Sequence, residues 1–243
     1  MNLIIDVGNT YTKLAVFAGD ELVEKRSINV NEFEVEFKFI CKEYPNLKSC
    51  IVSSVGKLAV KNVKLIENNL RVLRLNVSTP IPFKNLYKTP DTLGVDRLAL
   101  VSASAIQYPN KNVLIIDAGT CITYDFINHK NQYLGGSISP GIQMRYKSLN
   151  NLTANLPLLN FKEPEFVIGN TTNEAIHSGV IYGVLNEIDG FIEAYKQKYA
   201  DLTVILTGGN ANFLAKQLKS SIFATSNFLL EGLNYILQFN SKE

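Results

Sequence analysis

Val113-Leu114-Ile115-Ile116-Asp117-Ala118-Gly119-Thr120 repeats, 111 residues later, the plan of Leu3-Ile4-Ile5-Asp6-Val7-Gly8-Asn9-Thr10. In each copy an apolar, β-branched run delivers an aspartate to a strand end, a glycine-containing turn follows, and a second strand-like run begins at once. Glycine lets the backbone approach a ligand closely, and threonine hydroxyls and amide N–H groups suit phosphate oxygens. The carboxylate can orient a metal-bound or water-bound polyphosphate. One such turn is an ordinary hairpin. Two in equivalent strand-turn-strand contexts point to a nucleotide clamp built by internal duplication.

Working outward from the first copy, residues 2–6, 11–17 and 21–28 read as an antiparallel meander with a turn at Ala18-Gly19-Asp20-Glu21. Phe33, Phe37, Ile40 and Cys41 have helical spacing within 32–44, ending before Pro45. Residues 48–55 and 71–77 then read as parallel strands joined through a helix near 60–69. Thr79-Pro80-Ile81-Pro82-Phe83 makes a loop, and helical periodicity resumes over 93–107. Around the second copy, strands are expected at 113–117, 121–127 and 132–138, with a turn at Ser139-Pro140-Gly141 and helix and loop up to Gly169. Ile176, Val180, Val184, Ile188, Phe191 and Tyr195 form one stripe of a long helix, with Ala175, Gly179 and Gly183 on another side. A buried strand at 203–207 enters Gly208-Gly209-Asn210, and helices follow near 211–219 and 226–238. The class is α/β, each half a mixed sheet covered by helices. The expected domains are 1–110 and 111–243, parted at Tyr108-Pro109-Asn110-Lys111, with ligand in the cleft between them.

Composition mainly excludes. The 243 residues, 46% of them hydrophobic, can build a large core. Twenty-four Lys+Arg against twenty-two Asp+Glu leave a formal charge of +2, without a run of basic residues, so no nucleic-acid partner is implied. Cys41, Cys50 and Cys121 form no C-x-x-C pair and lie far in sequence from His129 and His177, which argues against a zinc site or disulfide framework. Free thiols fit a reducing cytoplasm. With no basic-then-apolar leader and no apolar stretch approaching about eighteen residues, a soluble chain without a membrane partner is expected. Cys121 reads as packing filler, His129 as a solvated turn residue, and His177 as a residue on the polar face of the long helix.

The combined set Asp6-x-Gly8-Asn9-Thr10-x-x-Lys13, Gly94-x-Asp96-Arg97, Asp117-x-Gly119-Thr120-x-x-Thr123-x-Asp125, Gly135-Gly136-x-Ile138-x-Pro140-Gly141, Thr172-x-x-Ala175-Ile176-x-x-Gly179 and Thr207-Gly208-Gly209 resembles the type III pantothenate kinases, within the acetate-kinase/sugar-kinase/Hsp70/actin superfamily. The resemblance runs from residue 2 to about 232. It implies duplicated actin-like, ribonuclease-H-like domains and a homodimeric cytoplasmic enzyme. Its reaction would phosphorylate the terminal hydroxyl of pantothenate with ATP, the first step to coenzyme A.

No G-x-x-x-x-G-K-[ST] is present, so Lys13 is the best cation for the β- or γ-phosphate. With it, the resemblance assigns ATP to Asp6, Val7, Gly8, Asn9, Thr10, Tyr11, Thr12 and Thr120, and Asp6 would organise Mg²⁺ or water around the phosphates. Asp117 matches the family's ligand for a monovalent cation, K⁺ or NH₄⁺. Thr207-Gly208-Gly209 suits the adenosine side. From position alone Asp96 is an N-terminal capping residue; the resemblance makes it the base that accepts the hydroxyl proton. Arg97 offers a donor fork for pantothenate oxygens, Gly94 and Val95 complete that substrate segment, and Tyr87 and Thr172 match the family's aromatic and hydroxyl contacts. The dimer is expected through helix 172–199. The alternatives are a nucleotide-binding transcriptional accessory factor without kinase activity and a kinase of another small alcohol or acid.

Overall fold

The computed structural model describes residues 1–8, 11–53 and 58–241. In the first unit, β1 (Asn2–Val7), β2 (Thr12–Ala18) and β3 (Glu21–Ile28) form the expected meander, with Gly19 at φ +63° in its second turn. Helix α1 (Phe33–Glu43), β4 (Ser49–Ser53), α2 (Val60–Glu67) and β5 (Arg71–Arg74) follow. The expected strand 48–55 thus reaches Ser53, and its last two residues lie outside the described ones. The chain then passes through the two-residue β6 (Lys84–Asn85) to α3 (Val95–Gln107). Strand order is β3-β2-β1-β4-β5, antiparallel from β1 to β3 and parallel from β1 to β5.

In the second unit β7 (Asn112–Ala118), β8 (Cys121–Ile127) and β9 (Gln132–Pro140) lead to α4 (Ile142–Asn151) and, after an irregular stretch, to α5 (Thr172–Lys198). β10 (Leu202–Thr207), the short α6 (Ala211–Leu214) and β11 (Phe223–Ala224) complete it. Its strands run β11-β10-β7-β8-β9, with β7–β8 and β8–β9 antiparallel and β7–β10 and β10–β11 parallel. β7 therefore occupies the place of β1. The same five-strand plan occurs twice, as the echoed motif implied.

Both central strands are covered on two faces, which is why they read as continuous apolar runs. Leu3, Ile5 and Val7 meet Phe33, Phe37 and Ile40 of α1, whereas Ile4 joins Ala15, Phe17 and Ile51 on the opposite face. That second face is closed by Ala99 of α3 and by Leu230, Leu233, Ile236 and Leu237 of the last helix, α7 (Phe228–Phe239). The two compact units are accordingly Met1–Pro109 with Asn227–Glu243, and Asn110–Ser226. Where the sequence reading kept 227–243 with the second half, α7 packs on the first. Gly232 lies so close to the Ala99 carbonyl that a Cβ would overlap it, and buried Asn234 links Asn2 to the Gly19 carbonyl. In the second unit Ile176, Val180, Val184 and Ile188 of α5 pack on Leu114, Ile116, Ile122 and Tyr124, confirming the apolar stripe. Among the described residues no helix is long and apolar enough to cross a membrane.

Candidate active site

Asp6 stands at the end of a central strand, level with Lys13 on β2 and Ser53 on β4. Lys13 Nζ lies 3.7 Å from Asp6 Oδ2, and Ser53 hydrogen-bonds the same carboxyl. Only 8% of Asp6 is exposed, and burial pushes its carboxyl above the ordinary aspartate value against the opposing pull of Lys13 and Ser53. The negative charge of Asp96 pushes it the same way, so the two carboxylates sense one another. The following turn is closed by the Gly8 amide on the Tyr11 carbonyl at 3.1 Å. Val7 and Thr12 are buried, while Tyr11 is exposed. Asn9 and Thr10 lie outside the described residues.

Helix α3 begins at extended Gly94, and exposed Asp96 sits in its first turn with Oδ1 accepting the Arg97 amide at 2.8 Å. The same amide also donates to the Gly94 carbonyl at 3.1 Å, and no side chain caps this helix, so Asp96 does not fill the capping role that its position suggests. Arg97 is 5% exposed and its guanidinium carbon lies 5.5 Å from the ring centre of Tyr87, a cation–π distance. The first unit thus gathers Asp6, Lys13, Ser53 and Asp96, and pairs Tyr87 with Arg97. Ser53 escaped the sequence reading; the register of β1 with β4 is the signal that finds it.

In the second unit Asp117 is the counterpart of Asp6, with Thr123 of β8 and Thr207 of β10 as its neighbours in register. The Thr207-Gly208-Gly209 turn folds directly onto it. Gly208 has φ +95°, and a Cβ there would overlap Asp117 Oδ1, so only glycine leaves this carboxylate its cradle. The Asn210 amide donates to the Ala118 carbonyl at 3.0 Å, and Gly119 to the Cys121 carbonyl at 3.0 Å. Thr120 is exposed at the loop tip. Thr172, also exposed, opens α5 and lines a groove of about 680 Å³ with Arg145, Leu149, Leu156 and Ile176. Among the described residues no three His, Cys, Asp or Glu side chains cluster as metal ligands.

Two sequence expectations change. His177 is buried, with Nδ1 2.8 Å from Tyr146 Oη, and burial and Lys162 hold its imidazole below the ordinary histidine value. It belongs to the core rather than to a polar face. Gly183 does not share the open side of Ala175 and Gly179, because Arg145 Nη1 lies 3.8 Å from where its Cβ would stand.

Two mixed sheets, of five and six strands, that share the order 3-2-1-4-5, each with an aspartate turn at the end of its central strand, define the actin-like ATPase and sugar-kinase fold. The chain is similar, at TM-score 0.64 and 22% identity over 99% of this chain and all of the other, to a Campylobacter jejuni protein described as a Baf family transcriptional activator. It also resembles the activator of 2-hydroxyisocaproyl-CoA dehydratase from Clostridium difficile, solved with bound ADPNP (TM-score 0.52, 11% identity, 98% and 93% covered). The model of the type III pantothenate kinase family matches residues 2–194. Type III pantothenate kinases of Christiangramia forsetii and Flavobacterium johnsoniae are 49% and 47% identical over 100% and 98% of both chains. The chain belongs to the type III pantothenate kinase family.

Asp6→Asn tests the desolvated charge. Because the folded chain holds the Asp6 carboxyl above its ordinary 3.8, it keeps a proton that the unfolded chain releases, and ionisation lowers stability as pH rises through that interval. The variant should resist urea better than the wild type at pH 7, with the gap narrowing toward roughly pH 3. Parallel stability curves across that range would show that burial does not dominate here.

Proposed function

We infer that this chain transfers the γ-phosphoryl group of ATP to the terminal hydroxyl of pantothenate, giving 4′-phosphopantothenate, the first step of coenzyme A biosynthesis. The full-length match to type III pantothenate kinases, at 49% identity, carries this reading. ATP enters as its Mg²⁺ complex, as a kinase family implies. Lys13, half exposed, meets the β- or γ-phosphate, and Asp6 orients the water or Mg²⁺ shell around them. Gly8 and Tyr11 shape the turn, Val7 and Thr12 contribute backbone, and Asn9 and Thr10 complete the motif. Thr120 adds a hydroxyl from the second loop, beside the turn proposed for adenosine.

Pantothenate is held by Tyr87, Gly94, Val95, Arg97 and Thr172. Its hydroxyl gives its proton to Asp96 as the oxygen attacks phosphorus, with in-line placement supplying much of the rate. We assign one monovalent cation, K⁺ or NH₄⁺, to Asp117, where its charge would support substrate binding. The enzyme works in the cytoplasm as a homodimer through α5. Ala175 and Gly179 leave one side of that helix open, and Phe166, Val167 and Ile168 before it are 71%, 68% and 86% exposed, apolar surface that a second copy would cover.

Asp96→Asn keeps the side chain's size but removes its basicity. Turnover should fall roughly 10²–10⁴-fold with ATP binding retained, read by a coupled assay and a nucleotide titration. Near-normal turnover would reject Asp96 as the base. If Asp117 holds a monovalent ion, phosphorylation should run in K⁺ or NH₄⁺ and poorly in Na⁺; equal rates in all three salts would remove that assignment. Nothing lies within 4 Å of a Cβ placed at Gly179, so Gly179→Glu leaves the monomer intact and should split the dimer in sedimentation. A monomeric wild type at micromolar concentration would end the dimer proposal.

A further inference from the structure

The Asp117–Thr120 loop rests on a turn that is itself held by charge. Gly141 donates its amide to the Thr120 carbonyl at 3.1 Å, and a Cβ at Gly141 would overlap the carbonyls of Gly119 and Thr120. The 139–141 turn therefore lies directly against the loop. Arg145, in the first turn of α4, reaches back to it: Nε donates to the Pro140 carbonyl and Nη2 to Ser139 Oγ, each at 2.9 Å. Nη2 also lies 2.5 Å from Glu187 Oε2, in the middle of α5, and the hydroxyl of fully buried Tyr124 on β8 donates to Glu187 Oε1 at 2.9 Å. Burial raises the Glu187 pKa, but the hydrogen bonds from Arg145, Ser139 and Tyr124 outweigh it and keep the carboxyl below its ordinary range.

An ion pair taken partly out of water adds little net stability, because desolvation consumes most of the attraction. What the guanidinium fork does supply is fixed geometry, here among three acceptors on the 139–141 turn and α5. We propose that Arg145 and Glu187, steadied by Tyr124, are positioning residues for phosphoryl transfer: they lock the 139–141 turn against α5 and thereby fix the Gly119-Thr120 loop. Neither residue is assigned a contact with substrate. The proposal rests on the reading that Thr120 meets the phosphates of ATP.

The test is a kinetic double-mutant cycle on the full chain with Arg145→Met and Thr120→Ala, recording kcat, both KM values and the melting midpoint. Arg145→Met should raise the KM for ATP roughly tenfold or more, as misplacement of a phosphate contact would. In the Thr120→Ala background it should add less than about twofold, since the clamp acts through that loop. Arg145→Lys, which can keep Glu187 but not all three acceptors, should recover part of the loss. Should Arg145→Met fail to fold, the isosteric Glu187→Gln carries the same comparison. A lowered melting midpoint with unchanged KM for ATP, or the same fold-change in both backgrounds, overturns the clamp while a Thr120→Ala defect leaves the phosphate reading standing. An unaltered KM for ATP in Thr120→Ala removes that reading and the clamp with it.

Discussion

A carboxylate removed from water at the end of a central strand is the constraint around which the first unit is arranged. β2 and β4 set Lys13 and Ser53 beside Asp6 in register, and both favour its ionised form against burial. An uncompensated buried charge would neutralise instead. The register of three strands, and through it the packing of α1 on one face and of α3 and α7 on the other, is thus coupled to the electrostatics of one side chain.

Duplication has kept the frame and changed the chemistry. Asp6 is flanked by a cation and a hydroxyl, whereas Asp117 is flanked by two threonines and roofed by Gly208. The first arrangement sets a positive charge against the carboxylate. The second sets two hydroxyl-bearing side chains in register with its carboxylate.

Periodicity made much of this legible. The stripe from Ile176 to Ile188 and the apolar runs at β1 and β7 are local patterns, and both lie where the spacing placed them. What pattern does not carry is the partner. The apolar face of α7 says that it is covered but not by which sheet, and the sequence reading kept it with the wrong neighbours. His177 shows polarity in a helix, yet its partner Tyr146 is 31 residues away on α4. The Arg145–Glu187 pair spans 42 residues with no motif to announce it. Gly183 looked equivalent to Gly179 by spacing alone, until the arginine reaching across from α4 distinguished them. The strand expected to Val77 stops at Arg74, and the helix expected over 211–219 contracts to Ala211–Leu214.

The return of α7 to the first unit also orders events during synthesis. Ile4, Ala15, Phe17 and Ile51 emerge early from the ribosome, but apart from Ala99 of α3 the helical cover on that face is α7, made only after the entire second unit. The later-translated unit can therefore close its core first, while the earlier one holds an apolar sheet face open for more than a hundred residues of elongation. That interval makes the nascent N-terminal sheet, rather than the finished protein, the species most in need of chaperone cover.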